Sequence, residues 1–265
     1  MNLSFFLYRR LCRWITCDLR LPFQSSISLS TKYDIGSFQD VFCHPYYWQV
    51  FSWLREPPKL VVDCGANCGH FAILMDTCVR VRFGSAETRY VLVEPNPALR
   101  PILERNLHNA GLTGRASILN GLLGPKSGSS TLWIHPKNFL ASSMTQFAGA
   151  RPHVVPFIDL AKHLRGECID VMKVDIEGGE YPFVRENADV LAQTAMLMME
   201  IHDAPVAVRS AMFGAIEAAG LLPTGRDVST DGLWLRAWER AGDALGAGCQ
   251  AGEARIPNEP AQEHC

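Results

Sequence analysis

The chain has 265 residues, 48% of them hydrophobic, and a formal net charge of −2. That length and apolar content suffice for one large domain with a sizeable core, and the weak negative charge removes the electrostatic reason to expect nucleic acid as the main partner. The nine cysteines, odd in number and scattered from Cys12 to Cys265, do not read as a secreted disulfide framework and point to a reducing, cytoplasmic setting.

The apolar run Leu3–Tyr8 is too short for a signal segment or a transmembrane span, and Arg9 and Arg10 follow it instead of preceding it. Residues 3–20 set arginines beside Phe, Leu, Trp and Ile, a pattern for a basic amphipathic helix. Such a helix either packs on the domain or makes weak contact with a membrane surface. Residues 21–58 are aromatic and rich in turn formers and close at Pro57-Pro58. They are expected to form a helical layer or a lid over an acceptor pocket.

Strand-like runs follow at 59–63, 89–94, 116–121, 169–175 and 195–201, with helical segments at 69–79, 97–110, 178–192 and 205–219. Strands rich in Val, Ile, Leu and Met that alternate with helices predict a parallel sheet covered on both faces. Residues 130–135 and 153–157 read as extra strands, 159–165 as a small helix, and 79–88 and 139–145 as loops, the latter lying over the site. Residues 221–238 read as two strands joined at Asp231-Gly232. The resulting boundaries are an N-terminal extension or lid over 1–55, a catalytic domain over 56–240 and a disordered tail over 241–265.

The first buried strand runs straight into "DCGANCG", Asp63 to Gly69, and then a helix. Gly65 and Gly69 permit positive φ and close approach of a ligand, and Asn67 tolerates a left-handed conformation. The spacing is G-x-x-x-G, not the G-x-G-x-x-G of a dinucleotide site, so the glycine that admits a pyrophosphate is missing. One βαβ unit later Glu94 ends a strand before Pro95, placed to accept hydrogen bonds from ribose hydroxyls. Loop and acid together describe an adenosine ligand without phosphates, S-adenosylmethionine (SAM). Asp63, Gly65, Ala66, Asn67, Gly69, Glu94 and Pro95 are the expected cofactor contacts, with Asp63 near the methionine amino group and Asn120, at a third strand end, near the adenine. A zinc site at Cys64, Cys68 and His70 lacks a clear fourth ligand, and these thiols read as packing residues.

Several stretches resemble the FkbM-like methyltransferases: "VVDCGANCGHFAI", "VLVEPNPALRPILERNLHNAG", "ASSM", "IDVMKVDIEGGEYPFV" and "MMEIH", in order across residues 40–202. The D-x-E-G-x-E signature at Asp175, Glu177, Gly178 and Glu180 is the most specific part. The resemblance implies an α/β class I methyltransferase, Rossmann-like, with a seven-stranded mostly parallel sheet, a C-terminal antiparallel hairpin and an N-terminal helical, aromatic extension. It also implies SAM as donor and O-methylation of a sugar or small-molecule hydroxyl, and it requires no metal.

Ligands in such a sheet lie beyond the strand C-termini. Asp175 and His202, at two such ends, are the catalytic candidates, His202 as general base. Glu177, Lys173, Ser142 and Ser143 are candidate substrate contacts. Glu180 reads equally well as a helix cap. A Mg²⁺ bound by Asp175, Glu177 and Glu200 is a minor alternative. The acceptor is expected to be a small molecule or glycan. A non-catalytic SAM-binding module and an NAD(P)-dependent oxidoreductase remain the competing readings.

Overall fold

The computed structural model describes residues 16–241 except 31, 85, 86, 137, 203, 231 and 232. Most of the helix expected over 3–20, and the tail from 242, lie outside the described residues; Cys17–Arg20 form strand β1, paired with β2 (Ser26–Leu29).

The central sheet is built from β3 (Leu60–Cys64), β4 (Arg89–Val93), β5 (Ala116–Leu119), β9 (Ile169–Val174), β10 (Thr194–Ile201), β11 (Leu221–Pro223) and β13 (Leu233–Arg240). Their spatial order is β11-β13-β10-β9-β3-β4-β5. The five strands from β10 to β5 run parallel, and β13 is antiparallel to β10 and to β11. All five side chains of β3 are buried, as a strand covered on both faces requires. The C-terminal hairpin is more elaborate than the expected two strands. Leu221–Pro223 and β12 (Val228–Thr230) are separate short strands, and both pair with β13. Chain order runs outward from β3 through β4 to β5, then returns to β9 beside β3. The switch point therefore falls between β3 and β9, where an α/β sheet opens its ligand crevice.

Helices α3 (His70–Phe83), α4 (Arg100–Asn109) and α8 (Val206–Ala218) fall where the pattern placed them. The supposed 79–88 loop is mostly the last turn of α3. Val79 is buried, Arg80 pairs with Asp76 one turn back at 3.5 Å, and Gly84 closes the helix at φ +83°. The 178–192 helix is two, α6 (Glu180–Glu186) and α7 (Ala188–Ala192), with α5 (Leu160–Leu164) before them. They part at buried Asn187, whose amide donates to the carbonyls of Gly124 and Phe183. The 139–145 loop is instead largely strand β7 (Asn138–Ser143), beside β6 (Ser129–His135) in a three-stranded antiparallel sheet completed by β8 (Arg151–Pro156). Pairing with β6 satisfies a backbone that a loop would leave to water.

The aromatic segment forms a helical layer: α1 (Lys32–Phe38), a π turn (Gln39–Cys43) and α2 (Pro45–Trp53). Ile35, Tyr46, Tyr47 and Phe51 are buried in one cluster with Phe71 and Met75 of α3. Arg105 of α4 ties this layer down. It donates to Ser30 Oγ at 2.7 Å and to the Ser28 carbonyl at 3.0 Å, and it pairs with the fully buried Asp34 at 3.3 Å.

Gly65 sits at φ +81° where the exit of β3 crosses that of β9, and a Cβ there would lie 1.7 Å from the Asp175 carbonyl oxygen. Gly111 is also left-handed, at φ +71°, but its Cβ would meet nothing within 4 Å. Gly65→Ala is therefore expected to cost at least about 2 kcal/mol, and Gly111→Ala about 1 kcal/mol from backbone strain alone. Urea midpoints for the two variants check this. Equal losses would mean that the crossing at Asp175 is not crowded.

Candidate active site

The register of β3 on β9 sets Asp63 directly beside Lys173. Both are buried, and Lys173 Nζ lies 3.3 Å from Asp63 Oδ1. The same ammonium donates to the Gly65 carbonyl at 2.9 Å and lies 3.4 Å from Asp175 Oδ2. Burial works against the charge on Lys173, but Asp63, Asp175 and Glu200 outweigh it and hold the ammonium well above its ordinary pKa. Burial likewise pushes Asp63 up, to about 6, with Lys173 opposing. Lys173 thus stays charged and joins two strand ends to the glycine loop.

Glu94 is the second anchor. Its Oε2 accepts the Asn67 backbone N–H at 2.8 Å and its Oε1 that of Asn96 at 2.8 Å. Asn67 can turn its N–H this way because it adopts φ +50°. Burial pushes the Glu94 carboxyl up to about 7, partly offset by these two N–H groups.

The third strand end carries the acid cluster. Glu180, fully buried at the start of α6, accepts the N–H groups of Gly178 at 3.1 Å and Ile176 at 3.3 Å. Its Oε1 also lies 3.0 Å from His202 Nδ1, while His202 Nε2 is 3.3 Å from Glu177 Oε2 and 3.9 Å from Glu200 Oε1. Hydrogen bonds to Glu177 and then Glu180 push His202 up to about 11. At neutral pH this imidazole is a cation that donates, which does not suit the general-base role expected from its position. Burial, and then the Asp175 charge, push Glu200 up to about 8 against the opposing pull of Lys173 and His202.

Two cavities meet at these strand ends and share Gly65, Asn67, Asp175 and Glu177. The smaller, of about 70 Å³, continues past Glu94 and Pro95 to Leu122, Leu132 and Ser142–Met144. The larger, of about 470 Å³, is closed by Asp40, His44, Tyr46 and Tyr47 of the N-terminal layer, with Lys173 and Glu200 on the sheet side. The sequence candidates Gly65, Ala66, Asn67, Glu94, Pro95, Ser142, Ser143, Lys173, Asp175 and Glu177 all stand in these walls.

Four others line neither cavity. Asp63 is buried beneath Lys173, whose ammonium lies 3.3 Å from its Oδ1. Gly69, at φ +80°, makes room for Leu103 of α4, 2.5 Å from where its Cβ would be. Asn120 donates to the Glu94 carbonyl at 2.8 Å. His202 stands behind Glu177 and Glu200. Burial keeps the Cys64 and Cys68 thiols protonated, and His70 Nδ1 lies 2.9 Å from Ser37 Oγ. Sequence reasoning missed Asp40, His44, Tyr46 and Tyr47 as individual residues; the aromatic density of 33–53 was their signal.

Ligand-type atoms of Asp175, Glu200 and His202 lie within 4.8 Å of one another. Lys173 and protonated His202 already supply positive charge to that corner. Among the described residues no helix is long and apolar enough to cross a membrane.

Lys173→Met should leave Asp63 buried without its cation and cost about 3–5 kcal/mol, with most of the loss recovered in the Lys173→Met/Asp63→Asn double variant. Denaturant midpoints for the cycle test this. A double variant no more stable than the single would contradict the tie.

The sequence matches the family described as "Methyltransferase FkbM domain" over residues 63–219. No curated protein matches it significantly. Among solved structures, methyltransferase FkbM from Methylobacillus flagellatus KT has a TM-score of 0.52 at 15% identity, over 74% of this chain and 48% of that one. An O-methyltransferase family protein from Burkholderia thailandensis has a TM-score of 0.46 at 13% identity, over 79% and 59%. Aeropyrum pernix fibrillarin, solved with natively bound S-adenosyl-L-methionine, has a TM-score of 0.46 at 13% identity, over 73% and 75%. At these identities the likeness speaks to fold alone, and the chain spans about half the length of the Methylobacillus protein. Matched from the glycine loop at Asp63 to Ala219 beyond α8, with the sheet order and the crevice at its switch point in place, this chain belongs to the FkbM methyltransferase family.

Proposed function

We propose that this methyltransferase moves the methyl group of SAM to a hydroxyl of a sugar or other small metabolite. The observation that carries the reading is the junction of two unlike cavities at Gly65, Asn67, Asp175 and Glu177. One side suits a nucleoside and the other an acceptor, and the shared wall is where the two would meet.

The small cavity fits the donor's nucleoside. Each oxygen of Glu94 accepts one backbone N–H and retains a lone pair, enough for the two hydroxyls of a ribose. Leu122, Leu132 and Met144 offer an apolar slot for the base. Ser142 and Ser143 stand beside this slot. SAM supplies an electrophilic methyl on a sulfonium. The protein supplies alignment and exclusion of water. Asp175 faces the junction with its charge balanced by Lys173, and the His202 cation holds Glu177 and Glu180 in place.

The larger cavity suits a hydroxylated acceptor. Tyr46 and Tyr47 present aromatic surface, while Asp40 and Glu200 accept hydrogen bonds from hydroxyls. The absence of a basic stripe in the sequence favours a small molecule or glycan over a nucleic acid.

Calorimetry with S-adenosylhomocysteine is expected to give one site per chain, with no heat from NAD. Glu94→Ala should weaken that binding by at least about tenfold, roughly 1.4 kcal/mol. An unchanged affinity in the variant would remove Glu94 from the ribose site.

A further inference from the structure

We propose that Glu200 is the general base that takes the proton from the acceptor hydroxyl. The assignment rests on the reading of the larger cavity as the acceptor site. Removing that proton needs a group that faces the cavity, is free to receive a hydrogen and is sheltered from water.

Glu200 meets all three conditions. It is the penultimate residue of β10, its side chain is only 12% exposed, and it stands in the cavity wall with Tyr46 and Asp175. Among the described residues it accepts no hydrogen bond, and its nearest cation, His202 Nε2, is 3.9 Å away, beyond hydrogen-bond reach. The other carboxylates are engaged or exposed. Asp175 is held by Lys173 at 3.4 Å. Glu177 is 61% exposed and turned to His202. Glu180 is sealed on two backbone N–H groups and His202, and Asp40 is solvent-exposed.

The surroundings also tune the group. Lys173 faces it from β9, Asp175 from just past the end of β9, Glu177 from the following turn, His202 from its own strand exit, and Tyr46 and Tyr47 from α2. Its partner in register on β13 is Leu235, which is apolar. Burial dominates and raises the carboxyl to about 8. Below that pH Glu200 is neutral; above it the carboxylate is available, so its role as acceptor of a proton grows as pH rises through 8. In the transfer, the hydroxyl proton passes to Glu200 as the acceptor oxygen bonds the methyl carbon. The carbon–sulfur pair remains on sulfur, which becomes neutral, and Glu200 later returns its proton to solvent.

The test needs no acceptor. Sinefungin carries an amine-bearing carbon where SAM has its methylated sulfur, so its ammonium reports a carboxylate at the transfer point. Calorimetry should show sinefungin binding roughly tenfold tighter than S-adenosylhomocysteine at about pH 8.5, with the preference shrinking by about pH 6.5 as Glu200 gains its proton. Glu200→Gln should abolish the preference and leave S-adenosylhomocysteine affinity within about twofold. A preference that survives in Glu200→Gln, or one lost in Asp175→Asn instead, overturns the assignment. So does wild-type protein with no pH-dependent preference, a result that does not depend on how any variant folds. Wild-type protein that fails to bind S-adenosylhomocysteine at all would instead remove the cofactor reading beneath it.

Discussion

A buried ammonium must find its counter-charges within reach or lose its proton. Lys173 finds them on three sides: Asp63 from β3, Asp175 from the end of its own strand and the Gly65 carbonyl from the loop between. The β3–β9 backbone ladder sets the spacing of the two strands at the switch point, and these contacts hold the loop that leaves β3 against the end of β9. They also oblige residue 65 to be glycine, because the backbone that delivers its carbonyl to Lys173 passes against that of Asp175. The glycine loop and Asp175 take their positions from this tie.

From that corner the architecture divides the work. Toward β4, a left-handed Asn67 closes onto Glu94 and sets a carboxylate at the mouth of the narrow cavity. Toward β10, Glu180 gathers the turn after β9 and the His202 ring into one unit. The N-terminal layer lies outside the stretch matched to the family, yet it closes the wider cavity with Tyr46 and Tyr47.

Much of the scaffold was legible in the sequence because it depends on local pattern. Val- and Leu-rich runs such as 59–63 read as buried strands, and the loop and acidic strand ends read as a nucleoside site. What escaped depends on distant partners. Gly69 looked like a ligand contact and instead accommodates Leu103. Asp63 was read only as a cofactor contact and is also paired with Lys173, a pairing visible only once β3 and β9 are in register. His202 carried the right residue type for a base, but Glu177 and Glu180 hold its proton. Strand β7 lacked a pattern of its own and is defined by β6, and the end of α3 depended on Asp76 and Gly84 where a loop was expected.

The central claim is that donor and acceptor sides meet at the corner made by Gly65, Asn67, Asp175 and Glu177. A crystal structure of the complex with S-adenosylhomocysteine tests it most directly. The account predicts the ribose on Glu94, the sulfur at the shared corner, and the Tyr46–Glu200 cavity left open in front of it. A nucleoside lying in the wider cavity, or one that makes no contact with Glu94, would contradict it.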